Sequence, residues 1–270
     1  MNRSGRRRTM CRPFDIRLPV VPGVVQSALS FRPCRGMTMN LSRVTLAVAT
    51  ALALGHVPSQ APADECSLAL VFALDVSKSM DSAEHSLQLF GLAAALRDPA
   101  VQNVLLSQGA PVALTAFEWS GPGYQANLAD WTLVATGRDI EAFAARLTDH
   151  ARGGRSQRTG TGPALSFAFA RLKQGPACLR EVIDISSDGY SNEGLSPRDF
   201  YSTLPPDAVT VNALVVGGKQ RPVLWGWFRS QVIRGPGAFA MATESFDDYA
   251  EAIREKLLRE VSAPQLAQSR

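Results

Sequence analysis

Oxygen-bearing side chains follow a short apolar run near residue 75, in the stretch LVFALDVSKSMDS at 70–82. Asp75, Ser77 and Ser79 occupy alternate positions there, and the stretch contains no histidine or cysteine. Carboxylate and hydroxyl oxygens without nitrogen or sulfur ligands suit a hard divalent cation, and Mg²⁺ in particular takes few carboxylates and keeps several waters. These residue types therefore predict a cation site rather than a group that transfers protons.

Two further segments carry the same chemistry. RTGTGPAL contains Thr159 and Thr161, and SSDGYSNEG places Asp188 directly after an apolar run. Ligands of open α/β sheets bind at the carboxyl ends of the strands, so we expect the three segments to meet at one edge. The alternative remains open for each segment alone, because an aspartate followed by serines is also an ordinary helix cap or turn.

Strands alternate with helices from residue 66 onward, which predicts an α/β fold. Such alternation favours a doubly wound, mainly parallel sheet with helices on both faces. The expected strands are 68–74, 111–118, 127–134 as a short antiparallel edge strand, 182–186, 209–216 and 238–242. The expected helices are 83–96, 98–106, 139–150, 162–172, 197–204, 223–233 and 246–261. In the first helix, Leu87, Phe90, Ala94 and Ala95 recur at helical spacing, and in the third Ile140, Phe143, Ala144 and Leu147 do.

The three polar segments together resemble the metal-ion-dependent adhesion site of von Willebrand factor type A domains, whose six-stranded, Rossmann-like sheet the chain would share. The resemblance implies that Asp75, Ser77, Ser79 and Thr159 bind the metal directly or through water. Asp188 would commonly act through water and leave one position open for a carboxylate on a partner protein. Thr161 is the rival of Thr159, which we prefer because the family's threonine stands three residues before a glycine. The cation expected from this resemblance is Mg²⁺, or else Mn²⁺ or Ca²⁺.

A longer likeness covers residues 66–261. This part of the chain resembles an uncharacterised bacterial group of secreted type A-like proteins. The resemblance supports the fold and says little about the function. The segments that carry it are CSLALVFALDVSKSMDSAEHSLQ, AFEWSGPG, LREVIDISSDGYSNEG and FRSQVIRGPGAFAMATESFDDYAEAIREKLLRE.

Four residues are candidates for groups that support the metal ligands: Thr161, Asp184, Glu118 and Asn192. Asp184 lies within an apolar strand, where a buried carboxylate needs a partner, so a structural hydrogen-bond acceptor is the preferred interpretation. Glu118 ends its strand on the same edge as the site, and an exposed carboxylate at the rim is the alternative that we favour. His85 and His150 are expected on helix surfaces.

Cys66 precedes Asp75 by nine residues, and Cys178 precedes Asp188 by ten. The first and fourth strands are neighbours in type A domains, so the resemblance implies that both cysteines lie at the amino ends of paired strands. We therefore expect a Cys66–Cys178 disulfide, with two unpaired thiols as the alternative.

The N-terminal part has the character of an export signal. A short segment with Arg43, the apolar stretch 44–55 and the small residues at 61–63 predict a signal peptide at 37–63, cleaved between Ala63 and Asp64. Residues 1–36 are interpreted as an over-extended or disordered N-terminus, or alternatively as an arginine-rich targeting extension. Residues 64–262 form the expected domain and 263–270 a disordered tail. A retained membrane anchor at 44–55 is the other alternative; after cleavage we expect no stable membrane span.

The net charge of +4 belongs to this leader. Residues 1–63 hold nine of the 28 basic residues and one of the 24 acidic residues, so the rest of the chain has a net charge of −4. That distribution argues against nucleic-acid binding. We expect a periplasmic or secreted protein.

A binding module is preferred over an enzyme. A phosphatase with Asp75 as nucleophile would need an acid or base two residues later, where Ser77 stands. No GxSxG or phosphate-binding glycine motif occurs in the sequence. A metal-dependent hydrolase and a structural domain with a vestigial site remain alternatives.

Trp225, Trp227 and Phe228 are expected to cover the sheet or to form a partner-binding patch. Arg152, Arg155 and Arg158 are expected to lie in a solvated loop, or alternatively to attract an acidic partner.

Overall fold

The computed structural model describes residues 66–150, 158–205 and 209–262. The strands are β1 Cys66–Asp75, β2 Val112–Trp119, β3 Gln125–Val134, β4 Cys178–Ser187, β5 Thr210–Val215 and β6 Ala240–Ala242. The helices are α1 Ser82–Arg97, α2 Pro99–Leu106, α3 Gly137–Thr148, α4 Thr161–Gln174, α5 Pro197–Ser202, α6 Pro222–Trp227 and α7 Tyr249–Val261. A π-helical turn, Phe228–Val232, continues α6.

The six strands form one sheet in the order β3-β2-β1-β4-β5-β6. Only β3 among them is antiparallel to its neighbour, and the others pair in parallel. The predicted fold class is confirmed. The edge strand β3 was expected to be short, but it has 10 residues because it pairs along β2 from Trp119 to Val112.

Helices cover both faces of the sheet. The side chains of β1 are buried throughout and alternate between two cores, as the period of a strand requires. Phe72 and its same-face neighbours pack with residues of α1, α3 and α7. Val71 and Ala73 pack with residues of α4 on the other face. A central strand buried on both faces explains the continuous apolar run before Asp75.

The buried face of α1 differs from expectation. Leu87 and Phe90 are 41% and 56% exposed, whereas Leu89 and Leu92 are buried. α7 packs against α1 at Gly91, where an added Cβ would lie 2.9 Å from the Tyr249 ring. This close approach selects the glycine-bearing side of α1 for the core and leaves the other apolar stripe in solvent.

The predicted disulfide is confirmed. Cys66 and Cys178 face each other across the parallel pair of β1 and β4, with a Cα–Cα distance of 4.6 Å, and are joined by a disulfide. It ties together the amino ends of the two strands whose carboxyl ends carry Asp75 and Asp188.

The interpretations of residues 1–36, 37–63 and 263–270, of Arg152 and of Arg155 lie outside the described residues. Within the described ranges, no helix combines the length and the apolar character needed to cross a bilayer.

Candidate metal site

Three segments meet at the carboxyl end of the sheet, as predicted. β1 and β4 are paired in parallel register up to Leu74 and Ser186, so the residues that follow each strand emerge side by side. The third segment, 158–165, leads into α4. That helix packs against the face of β1 that carries Val71 and Ala73. The topology therefore brings Asp75, Asp188 and Thr159 together although they are far apart in sequence.

A continuous series of contacts links the five predicted ligands. The Ser79 hydroxyl donates to Asp188 Oδ1 at 2.8 Å, and the Ser79 and Ser77 hydroxyl oxygens lie 3.3 Å apart. The Thr159 hydroxyl donates to Ser77 Oγ at 3.0 Å. The backbone N–H of Ser77 donates to Asp75 Oδ1 at 2.7 Å. Five oxygen-bearing side chains from three segments thus lie close to one another.

Asp75 is, with Ser77, one of the two fully buried members of this group. Its side chain is inaccessible to solvent, and Ser187 donates a hydroxyl hydrogen bond to its second oxygen, Oδ2. Burial raises the pKa of Asp75 to about 7; the nearby charge of Asp188 acts in the same direction, whereas the Ser187 hydrogen bond acts against it. No positive charge among the described residues offsets the burial of this carboxylate, and a bound cation would supply one.

The loop that carries Thr159 is fixed by the loop that carries Asp188. The Thr159 N–H donates to Asn192 Oδ1 at 3.0 Å, and the Asn192 N–H donates to the Thr159 carbonyl at 2.8 Å. At Gly162 an added Cβ would lie 1.9 Å from the Leu195 carbonyl oxygen, so only glycine lets the two loops pack this closely. Asn192 therefore joins the loop of Thr159 to the loop of Asp188.

The two candidate threonines have different environments. Thr159 contacts Ser77, whereas Thr161 is buried at the start of α4. The Thr161 N–H donates to Ser191 Oγ at 3.2 Å, and its own hydroxyl has no hydrogen-bond partner among the described residues. Contact with the rest of the group favours Thr159 as the ligand.

Two supporting residues were not predicted. Ser187 binds the Asp75 carboxylate, and Gln88 Nε2 donates to the Asp75 carbonyl at 3.0 Å from the buried side of α1. The sequence does contain a signal for Ser187. The predicted pairing of Cys66 with Cys178 implies a register in which Asp75 lies opposite Ser187, since each is nine residues further along its strand.

Asp184 does not reach the site. It faces α7 on the opposite side of the sheet, where Lys256 Nζ lies 2.6 Å from Asp184 Oδ1, and both side chains are buried. Asp184 therefore forms a buried ion pair with Lys256 and does not lie beside the predicted metal ligands.

Glu118 is not an exposed carboxylate at the rim, and His85 is not on a helix surface. Both are buried, with His85 Nε2 3.0 Å from Glu118 Oε2. Tyr124 donates to the other carboxylate oxygen, and the partly exposed His150 lies 3.4 Å from it. Glu118 belongs to β2, all of whose residues are buried. Its carboxylate therefore lies inside the protein, beside β1, and not in solvent.

The donor set fits a hard cation. In the part of the chain that the structure describes, no three His, Cys, Asp or Glu side chains are grouped so as to hold a metal ion. Two carboxylates and three hydroxyls remain, and they leave room for water and for a ligand from another molecule, as Mg²⁺ prefers.

Comparison with known proteins gives one family. Residues 65–265 match the family described as "Protein of unknown function (DUF1194)". No curated protein matches the sequence.

Solved structures of similar fold have low sequence identity. The pilus adhesin SpaC from Lactobacillus rhamnosus GG is 15% identical at a TM-score of 0.50, over 75% of this chain and 31% of that one. A von Willebrand factor type A protein from Catenulispora acidiphila is 17% identical at 0.47, over 73% and 43%. Proximal thread matrix protein 1 from the mussel byssus, solved with a zinc-occupied MIDAS motif, is 18% identical at 0.47, over 73% and 46%. This chain spans less than half the length of each, and the likeness concerns the fold alone.

Proposed function

The chain belongs to the DUF1194 family of proteins of unknown function, and on that premise we propose that it is a metal-dependent recognition module. It binds a divalent cation through Asp75, Ser77, Ser79, Thr159 and Asp188. The cation then binds a carboxylate presented by a partner protein.

The observation that carries this proposal is the contact series from Asp188 through Ser79 and Ser77 to Thr159, above a buried Asp75. Separate turn or cap residues would have no reason to converge from three segments. The von Willebrand factor type A-like fold supports the same assignment, because its motif positions are the ones that converge.

Each residue has a distinct part in this scheme. Asp75 supplies negative charge from the buried side, held in place by Ser187 and by the Ser77 N–H. The three hydroxyls supply neutral oxygens, and Asp188 supplies the second charge at the partly exposed side. When bound, the cation is a Lewis acid with affinity for a further oxygen ligand. Mg²⁺ is the expected ion, with Mn²⁺ and Ca²⁺ as substitutes of the same hard class.

We propose binding rather than catalysis because neither histidine of the described residues is bonded to Asp75. Ser77 stands where an aspartate-based phosphatase would need its acid or base. The two histidines of the described residues are near Glu118 instead, His85 at 3.0 Å and His150 at 3.4 Å.

We also propose that the protein acts in the periplasm or outside the cell. The Cys66–Cys178 disulfide is compatible with that location, since oxidising compartments preserve such bonds. The predicted signal peptide at 37–63 gives the same location.

The experiment is a pull-down from envelope extract on the immobilised protein, in Mg²⁺ and in EDTA. We expect a partner that is retained in Mg²⁺, released by EDTA and not retained by Asp75→Ala. The matched control is Ser86→Ala, which removes an exposed α1 hydroxyl bonded to the Ser82 carbonyl and should retain the partner. Amidation of the carboxylates in the extract should abolish retention. A retained set that is unaffected by EDTA and by Asp75→Ala would contradict the proposal.

A further inference from the structure

Tyr190, two residues after Asp188, belongs to a group of exposed or partly exposed apolar side chains. Tyr190 is 42% exposed and packs edge-on against Trp227, with ring centroids 5.6 Å apart. Val223 is 78% exposed and stands one helical turn before Trp227, on the same side of α6. We call Tyr190, Val223 and Trp227 the aromatic rim. Contiguous exposed apolar side chains are typical of interaction sites.

The rim is held rigidly. Ser191, which follows Tyr190, accepts a hydrogen bond from the Thr161 N–H at 3.2 Å, and Asn192 is bound to Thr159. On the other side, Trp227 packs perpendicular to the buried Phe228, with centroids 5.0 Å apart. Because these side chains are positioned before binding, a partner loses little free energy in ordering them.

The rim lies one short step from the metal. Tyr190 is two residues after Asp188, so their Cα atoms are at most about 7 Å apart. In an extended peptide, side chains two positions apart point to the same side and are separated by about 7 Å. A peptide whose carboxylate binds the cation can thus bring the side chain two residues away within reach of Tyr190.

The charges around the ligands fit an acidic segment. Lys78 lies between Ser77 and Ser79, and Arg158 directly precedes Thr159; both are exposed. A divalent cation balances the charges of Asp75 and Asp188. Each of the two basic side chains is adjacent in sequence to a ligand residue, whereas the acidic Asp81, Glu84 and Glu193 stand two to five residues from the nearest ligand.

Building on the proposed function, we propose that the partner segment is an extended acidic peptide with an aromatic or large aliphatic residue two positions from its metal-binding carboxylate. The carboxylate binds the cation, and the apolar side chain packs on the aromatic rim. The rim thus determines which acidic segments the metal site accepts.

The test is a phage-displayed heptapeptide library with a fixed central aspartate and six randomised positions. It is selected on the purified protein in Mg²⁺ and eluted with EDTA. We expect enrichment of aromatic and large aliphatic residues two positions from the aspartate. In fluorescence polarisation with a selected peptide, replacing that residue by serine should weaken binding about tenfold, as loss of a buried apolar side chain implies.

Two rim variants and one control decide the outcome. Tyr190→Ser and Val223→Ser should bind Mg²⁺ normally by calorimetry and lose the apolar preference. Phe90→Ser, which removes an exposed aromatic ring from α1, should keep it. EDTA-eluted peptides without an apolar preference, or a preference that survives in both rim variants, would overturn the inference and leave the proposed function standing. Absence of any EDTA-eluted peptide would contradict both.

Discussion

The Ser79 hydroxyl donates a 2.8 Å hydrogen bond to Asp188 Oδ1 across 109 residues of sequence. It joins the segment after β1 to the segment after β4, at the end of the strand pair opposite the Cys66–Cys178 disulfide. The site therefore depends on the pairing of these two strands.

Ser187→Ala should weaken metal binding. It removes the hydroxyl that donates to the buried Asp75 carboxylate, and loss of a group that orients a ligand typically costs about 10- to 100-fold in affinity. Calorimetric titration with Mn²⁺ measures the change.

The matched control is Ser186→Ala. Ser186 is an equally buried serine on the same strand, but its hydroxyl lies 3.0 Å from Tyr249 on the opposite face. This variant should lose some stability and keep its metal affinity. Equal weakening in both variants would show that Ser187 acts only through the fold.

Asp75→Asn should stabilise the metal-free protein while it removes metal binding. Burial raises the pKa of Asp75 to about 7, so ionisation at pH 8 opposes folding by up to about 4 kcal/mol, and the amide avoids that charge. Since the folded pKa lies above the unfolded value of 3.8, the penalty is full above pH 7 and disappears as the pH falls below 3.8. Urea unfolding in EDTA at pH 8 tests this, and a less stable variant would refute it.

Glu118 should stabilise the fold in a pH-dependent way. Burial alone would raise the pKa of Glu118, but hydrogen bonds from His85 and Tyr124 and the charge of His150 outweigh it and lower the pKa below 4.5. Ionised Glu118 therefore contributes stability at pH above 4.5, and the contribution is lost as the pH falls through the lowered value.

The comparison is between wild type and Glu118→Gln in chemical unfolding from pH 7 to pH 3. We expect the wild type to be more stable by about 2 kcal/mol at pH 6, as for a buried hydrogen-bonded charge. The difference should shrink below pH 4.5. A difference of constant size across this range would mean that the charge of Glu118 is immaterial.

Breaking the disulfide should lower stability without changing metal affinity. The bond closes a loop with a sequence separation of 112, for which the chain-entropy model gives a loss of about 4 to 5 kcal/mol. The metal site should persist because β1 and β4 remain paired by backbone hydrogen bonds up to Leu74 and Ser186, next to the site. Urea unfolding and Mn²⁺ titration of the Cys66→Ser, Cys178→Ser double variant measure the two quantities. A loss of metal binding in still folded protein would contradict the expectation.

The order of strands and helices and the positions of the five site residues could be predicted from the sequence, because the signals are local. Apolar runs end at Asp75 and Asp188, and glycine follows Thr161 at the start of a helix. The cysteine pair could be predicted once the two strands were taken as neighbours.

The positions of Glu118 and the buried face of α1 could not be predicted, for a common physical reason. Every residue of β2 is buried, so its sequence does not alternate in a way that separates solvent from core. α1 is apolar on two sides, and only contact with α7 at Gly91 decides that Leu92 rather than Phe90 is buried. Both outcomes depend on elements distant in sequence.

The most direct test of the central claim is calorimetric titration of the purified protein with Mg²⁺, alongside Asp75→Ala, Ser79→Ala and Ser86→Ala. We predict one bound ion in the wild type and in Ser86→Ala, affinity reduced about tenfold or more in Ser79→Ala, and none in Asp75→Ala. Negligible heats in all four proteins, or the same affinity in all four, would contradict the claim that these residues form a cation site.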